Sequence, residues 1–181
     1  MFRFPMMCAL VAICLLAASA AAPAGASSRY RPGGVLPAQV FAPYFETYAG
    51  HHLAALSRRS GAEYLTLAFL QTRKKRSCKL TWDGDPNMPV AWLTFGPGIS
   101  RIRAAGGDVI ASFGGYTADH GWTDIADSCT SARAVARAYE KVITTYHVTR
   151  LDLDVEDNSL RRHAAVDRRS KAIHPGLGSP R

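Results

Sequence analysis

Between Leu151 and Asp157 the chain reads LDLDVED. Asp152, Asp154 and Glu156 alternate with Leu151, Leu153 and Val155, so an extended strand puts three carboxylates on one side and three aliphatics on the other. Soluble sheets rarely aim three acids into a closed interior unless the acids are used. At this spacing the groups sit about 7 Å apart, and each like-charge pair costs ~2 kcal/mol at an effective dielectric near 20. The cluster is therefore expected to hold at least one proton near neutral pH. A carboxylic acid kept protonated beside an ionised one is what general acid catalysis at a glycosidic oxygen requires. Two plainer readings compete. The acids could lie on a solvated sheet face, or they could bind a metal. An EF-hand loop wants Gly at its sixth position and Glu at its twelfth. Counted from Asp152 those positions are Asp157 and His163, so no metal site is expected.

Strands alternating with helices must position such a cluster. Short β-rich runs are expected at Val40–Phe45, Tyr64–Leu70, Val109–Phe113 and Leu151–Val155. Helices are expected at Leu53–Arg59, Ile99–Ala105, Ser131–Tyr146 and Asp167–Ile173. Ser131 can cap the third of these, and Ala134, Ala138, Val142 and Tyr146 line one face of it. Arg73–Pro97 reads as a long irregular connection. Four strands alternating with helices argue for parallel βα units, an α/β fold with function on the strands' C-terminal side. A doubly wound sheet would fit this pattern too, but no GxGxxG follows the first strand and no phosphate loop appears, and no cofactor is expected.

The first 26 residues read as a signal peptide. Arg3 supplies a small positive region, Met6–Ala18 is apolar, and Ala24-Gly25-Ala26 has the small-x-small form of a cleavage site. The apolar run is short for a membrane span, so no membrane association is expected after cleavage. Residues 27–39 read as a leader loop. Of the four cysteines, Cys78 and Cys129 remain after cleavage, an even pair in an exported domain, and one disulfide between them is expected. The neighbouring His51 and His52 cannot share a helix face and read as surface. The formal charge is +8, but residues 27–160 hold 15 basic and 13 acidic residues, and 161–181 hold six basic and one acidic. A nucleic-acid-binding face is poorly supported by that distribution.

With these motifs in view, the chain resembles glycoside hydrolase family 18, the chitinases, of secreted actinobacterial type. The family's fourth-strand motif is D-x-x-D-x-D-x-E, and Asp152, Asp154 and Glu156 fill its last three acidic positions, with Thr149 in place of the first Asp. The family's S-x-G-G at the end of the third strand is matched by Ser112-Phe113-Gly114-Gly115. The resemblance extends over residues 40–173, through stretches such as FAPYFETY, YLTLAFLQT and AAGGDVIASFGGY. It implies the N-terminal half of a TIM (β/α)8 barrel acting on chitin or N-acetylglucosamine oligosaccharides outside the cell. Glu156 would be the general acid. The substrate's own acetamido carbonyl would attack in place of a second carboxylate. Asp154 would orient that acetamido group, and Asp152 would tune Asp154. Ser112 would support them by hydrogen bonding, and Gly114 and Gly115 would let the sugar approach the backbone.

Tyr44, Tyr116 and Trp122, near strand ends, are candidates for stacking on pyranose faces, with Trp82 more remote; core packing explains each equally well. Glu46 could hydrogen-bond sugar or face solvent. Arg73-Lys74-Lys75-Arg76 reads as a solvated loop, with attraction to an acidic wall polymer as the alternative. A complete barrel takes about 250 residues, and the family also uses a Tyr and a Trp from later strands. Residues 174–181, HPGLGSPR, read as an aberrant tail, so a truncated frame with little or no activity and poor independent folding is expected. A non-catalytic chitin-binding fragment, or an unrelated exported α/β protein with a solvated acidic strand, are the competing readings.

Overall fold

The computed structural model describes residues 34–174. The segment read as a signal peptide, the start of the leader (27–33) and residues 175–181 of the tail lie outside the described residues. No helix among the described residues is long and apolar enough to cross a membrane.

Strands β1 (Tyr44–Glu46), β2 (Tyr64–Thr72), β4 (Asp108–Gly114) and β5 (Leu151–Asp154) lie side by side in that order, every neighbouring pair parallel. A short β3 (Leu80–Trp82) pairs antiparallel with the end of β2. Parallel neighbours in chain order, with no reversal of strand order, are the arrangement of half a (β/α)8 barrel rather than of a doubly wound sheet. The helices between them are α1 (Leu53–Ser60), α2 (Trp92–Ala104), α3 (Tyr116–Gly121), α4 (Ile125–Ser128) and α5 (Ala132–Tyr146), with α6 (Asp157–Arg161) and α7 (His163–Ile173) after β5.

Strand alternation divides the sheet's faces. Phe45, Leu65, Leu67, Val109, Ala111, Phe113, Leu151 and Leu153 point to the helices and join the apolar core with Phe95, Ile99, Ile102, Val135 and Val142. Register places Tyr44 beside Thr66, Thr66 beside Ile110, and Ser112 beside Asp152 on the opposite face. At the strands' N-terminal end a buried pair fixes the layers. Arg103 Nε donates to Asp108 Oδ1 at 2.7 Å, and its other nitrogens donate to the carbonyls of Tyr146 and His147.

Several elements depart from the sequence reading. The first strand is shorter than Val40–Phe45, but its ladder starts one residue earlier than Tyr44, because the Pro43 carbonyl accepts from the Thr66 amide. The second helix begins at Trp92, not Ile99, and carries Gly96-Pro97-Gly98 inside it. The sequence reading puts residues up to Pro97 in the irregular connection, but a Cβ on Gly98 would stand 2.9 Å from Leu53, so the glycine lets α1 pack close to α2. The last helix starts at His163 rather than Asp167. Trp82 is not a peripheral sugar platform. It is fully buried, its Nε1 donates to Tyr146 Oη at 2.9 Å, and that hydroxyl donates to the Ala91 carbonyl. Core packing accounts for it, and Trp82→Ala would cost about 3–5 kcal/mol.

Cys78 and Cys129 form a disulfide with Cα atoms 4.7 Å apart, tying the β2–β3 connection to the end of α4. The enclosed separation is 51 residues, for which chain entropy gives about 4 kcal/mol of stabilisation. The Cys78→Ala/Cys129→Ala variant is expected to lose a comparable amount in chemical denaturation, and a loss below about 1 kcal/mol would reject that account.

Candidate active site

Asp152 is the best-held member of the acid cluster. β4 and β5 pair with Ser112 opposite Asp152, so the two side chains share a face. Ser112, fully buried, donates its hydroxyl to Asp152 Oδ2 at 2.6 Å. Tyr44, from β1, donates to the same oxygen at 3.1 Å. The Tyr44 residue is half exposed, but its hydroxyl is turned onto the carboxylate. Desolvation of that hydroxyl, then the Asp152 charge and the hydrogen bond to it, push the phenol up to about 12. It stays protonated and remains a donor.

Asp154 follows on the same face at the C-terminal end of the strand. Burial first, and then the neighbouring Asp152 carboxylate, raise its carboxyl above the ordinary value. The direction agrees with a cluster that resists losing every proton. Glu156 does not continue the alternation. The strand ends at Asp154, the Val155 amide turns back to the Leu153 carbonyl, and Glu156 stands at the N-cap of α6 with φ −88° and ψ 174°. Its carboxylate accepts no hydrogen bond among those described.

Gly114 and Gly115 are required by the protein's own packing. Gly114 has φ +104°, and a Cβ there would lie 2.2 Å from the Asp154 carbonyl oxygen. Gly115 has φ +82°, its amide donates to that carbonyl at 2.9 Å, and a Cβ would strike the Phe69 ring. The glycines therefore let β5 and Phe69 close on the end of β4. Phe69 is a residue that sequence reasoning missed. An extra residue between Leu67 and Leu70, against Ala111 to Phe113 on β4, makes a bulge, so strict alternation misplaces Phe69. Its ring lies 5.5 Å from that of Tyr44, beneath the carboxylates' neighbour.

The other candidates lie further out. Tyr116 is exposed and stacks on His120 of its own helix at 4.0 Å. Trp122, half exposed, carries the Arg162 guanidinium 3.8 Å over its ring and Lys75 at 5.4 Å. Neither has a described contact with Asp152, Asp154 or Glu156. Glu46 is half-buried on β1, in register with Ala68. Among the described residues no group of three or more His, Cys, Asp or Glu side chains converges to hold a metal.

A polar clamp beneath α6 was also missed. Asp119, buried on α3, accepts from Asn158 Nδ2 and from the Ser159 amide, each at 2.7 Å. Burial opposes its ionisation, but those hydrogen bonds and Arg162 win and hold its carboxyl below the ordinary value. Asp127 accepts from Ser159 Oγ and from Arg162 Nη1, the latter at 2.6 Å. The only signal in the sequence is Asn158-Ser159 placed just after Glu156, which points nowhere without the partners.

No protein-family model matches the chain. Over 144 residues it is 28% identical to a probable bifunctional chitinase/lysozyme of Escherichia coli (strain K12), covering 78% of this chain and 15% of that protein. Over 144 residues it is 27% identical to endochitinase 11 of Metarhizium anisopliae, covering 78% of this chain and 26% of that one. Among solved structures, catalytic-site mutants of active domain 2 of a chitinase from Pyrococcus furiosus superpose with a TM-score of 0.59 at 26% identity, covering 76% of this chain and 44% of theirs. The same domain complexed with chito-oligosaccharides gives a TM-score of 0.58 at 27% identity, over 77% of this chain and 44% of that one. The chain is thus similar to chitinases in sequence and fold, and spans about a quarter or less of the curated relatives it matches.

Two outcomes follow from the geometry. The charge on Asp154 opposes folding, because its folded carboxyl is raised. That cost is absent below the unfolded pKa and complete above the folded one. Asp154→Asn should therefore raise the melting temperature at pH 7, with the gain vanishing on acidification to about pH 3. A gain that persists at low pH would count against this cause. Gly114→Ala should cost on the order of 1–3 kcal/mol from the backbone conformation alone, with the clash on the Asp154 carbonyl added. Urea unfolding with an unchanged midpoint would contradict it.

Proposed function

We propose that this chain carries the acid-bearing part of a chitinase-type glycosidase of family 18, acting on β-1,4-linked N-acetylglucosamine by a substrate-assisted, retaining route. One observation carries the reading. At the C-terminal end of β5, Asp152 is held by two hydroxyl donors beside an Asp154 of raised pKa, and Glu156 follows with its carboxyl free of described partners. Similarity to chitinases supports the choice of substrate.

In this reading Glu156 gives its proton to the leaving glycosidic oxygen as the C1–O bond breaks. The substrate's acetamido oxygen attacks C1 and forms an oxazolinium ion. Asp154 accepts the acetamido N–H, which aims the carbonyl and offsets the positive charge that develops. Asp152, held by Ser112 and Tyr44, stands beside Asp154, whose carboxyl is raised by burial and by that neighbour, which favours a proton between the two. Water, deprotonated by Glu156, then opens the oxazolinium with retained configuration. Aromatic faces on Tyr44, Tyr116 and Trp122 would line the sugar path. Export through the first 26 residues fits the Cys78–Cys129 disulfide, which persists in an oxidising compartment.

Among the described residues β1 and β5 each have one edge without a strand partner. Side-chain layers from the remaining strands normally fill a barrel's interior. The 181-residue polypeptide tested by itself is therefore expected to bind chito-oligosaccharides weakly and turn them over slowly. Binding without turnover would favour the alternative reading, a secreted carbohydrate-binding fragment.

The test is Glu156→Gln, in this chain and in a longer polypeptide that supplies the remaining strands. The amide keeps the shape but has no acidic proton to give. Reducing-end release should fall at least 100-fold, while oligosaccharide affinity by calorimetry changes less than threefold. Turnover near that of the parent would remove Glu156 from the acid role.

A further inference from the structure

The loop that leaves the C-terminal end of β2 carries Arg73, Lys74, Lys75, Arg76 and Lys79, with no acid among them. All five are exposed, and none joins the ion pairs found among the described residues. A merely solvated loop would be loosely held, because like charges repel and spread. This loop is fastened. The Lys74 carbonyl accepts from Thr72 Oγ1 at 3.0 Å and from Ser128 Oγ at 2.9 Å. The Ser77 amide donates to Ser128 Oγ at 3.0 Å, the Lys79 amide donates to Ser77 Oγ at 3.1 Å, and Cys78 is bonded to Cys129. Thr72 and Ser128 are both buried, so the anchors belong to the protein's interior.

The fixed backbone encloses a recess of about 220 Å³ lined by Arg73, Lys74, Ser77 and Lys79. Cations whose backbone is already ordered lose less entropy when an anion arrives. Beside them stands Trp122, 46% exposed, with Lys75 Nζ 5.4 Å from its ring centroid. The Arg162 charge above the same ring is matched by Asp127 and Asp119, so it adds rigidity rather than net charge. An aromatic ring for the C–H face of a pyranose, and unpaired cations for an oxyanion, are the two contacts that a charged sugar needs.

Topology puts this surface at the same end of the sheet as Asp154 and Gly114. A neutral N-acetylglucosamine chain gains nothing from five cations there, and a deacetylated, cationic chain would be repelled. We infer that loop 73–79, with Trp122, is a binding site for an anionic glycan, one whose pyranose units carry carboxylate or phosphate groups. The sugar part of this inference rests on the glycosidase reading, and the anionic part rests on the loop itself. Double-stranded nucleic acid is a poorer match, since residues 27–160 are nearly balanced in charge and offer no extended basic face.

The test is binding by the full chain, with the disulfide intact, of four probes: a hyaluronan oligosaccharide, a phosphorylated mannan oligosaccharide, chitohexaose and a DNA duplex. One or both anionic glycans should bind, at least tenfold more weakly in about 0.5 M salt than in about 0.05 M, and the two arms separate carboxylate from phosphate. Arg73→Gln/Lys74→Gln/Lys79→Gln, with an unchanged far-UV circular dichroism spectrum, should lose tenfold or more in affinity for the anionic glycan and none for chitohexaose. Trp122→Ala should weaken binding while keeping its salt dependence. Arg58→Gln/Arg59→Gln, exposed on α1, should leave it unchanged. The inference is overturned if the triple variant binds as the parent does, if the α1 pair matters equally, if DNA binds as tightly as either glycan, or if neither anionic glycan binds. Absent chitohexaose binding, with salt-dependent anionic-glycan binding intact, would count against the glycosidase reading and leave the anionic part of this inference, which the loop carries.

Discussion

The Ser112 hydroxyl on Asp152 is the contact around which the site is organised. It exists because β4 and β5 run parallel in a register that sets residue 112 beside residue 152. That register depends in turn on Gly114, where a side chain would collide with the Asp154 carbonyl, and on the Gly115 amide that donates to it. A shift of one residue would send both aspartates into the apolar layer between sheet and helices, where Phe113 and Leu153 belong. The apolar half of each strand therefore guards the polar half. The core is what makes it unfavourable for the carboxylates to move.

Glu156 is held by a different device. The strand has ended before it, and α6 starts from it. Asp119 and Asp127 fix α6 to α3 and α4 through Asn158, Ser159 and Arg162, all within six residues of Glu156. Arg162 also reaches the Asp119 carbonyl and covers Trp122. One cation thus links the segment after Glu156 to the exposed aromatic and, through it, to the basic loop. Removing either buried aspartate would strand Arg162 with an unmatched charge, which makes this a network whose members stand or fall together.

Much of this was legible in the sequence because it depends on local alternation. LDLDV declares a strand with one polar face, and Ser131 followed by Ala134, Ala138, Val142 and Tyr146 declares α5, whose cap the structure shows in the bond from the Ala134 amide. The pairing of Cys78 with Cys129 needed only their number and the expectation of export. What escaped depends on partners distant in the chain. The start of α2 at Trp92 is hidden in an irregular connection read through Pro97, and Gly98 shows its use only when Leu53 is seen against it. Between stacking platform and core residue, Trp82 is decided only when Tyr146 is seen to accept its N–H. Phe69 sits at a bulge, where period-two reasoning fails by construction. α3, α4 and α6 are too short to show a period, and they are fixed by buried aspartates whose roles no spacing reveals.

The acids and the loop show opposite solutions to one electrostatic problem. Asp152 and Asp154 bring like charges together at the end of a strand, and the structure answers with hydroxyl donors and a raised pKa. Arg73 to Lys79 bring like charges together on a loop, and the structure answers by fixing the backbone and leaving the charges in water. Natural proteins keep such unfavourable groupings where function uses them, and substitutions that relax them usually gain stability while losing activity. The carboxylates, partly withdrawn from water, can hold a proton for chemistry. The cations, exposed and outside the described ion pairs, act by attraction. Hydration, more than residue type, therefore separates a surface that reacts from a surface that binds. On that ground the acids of β5 and the cations of the loop after β2 lie at one end of the sheet in different physical roles.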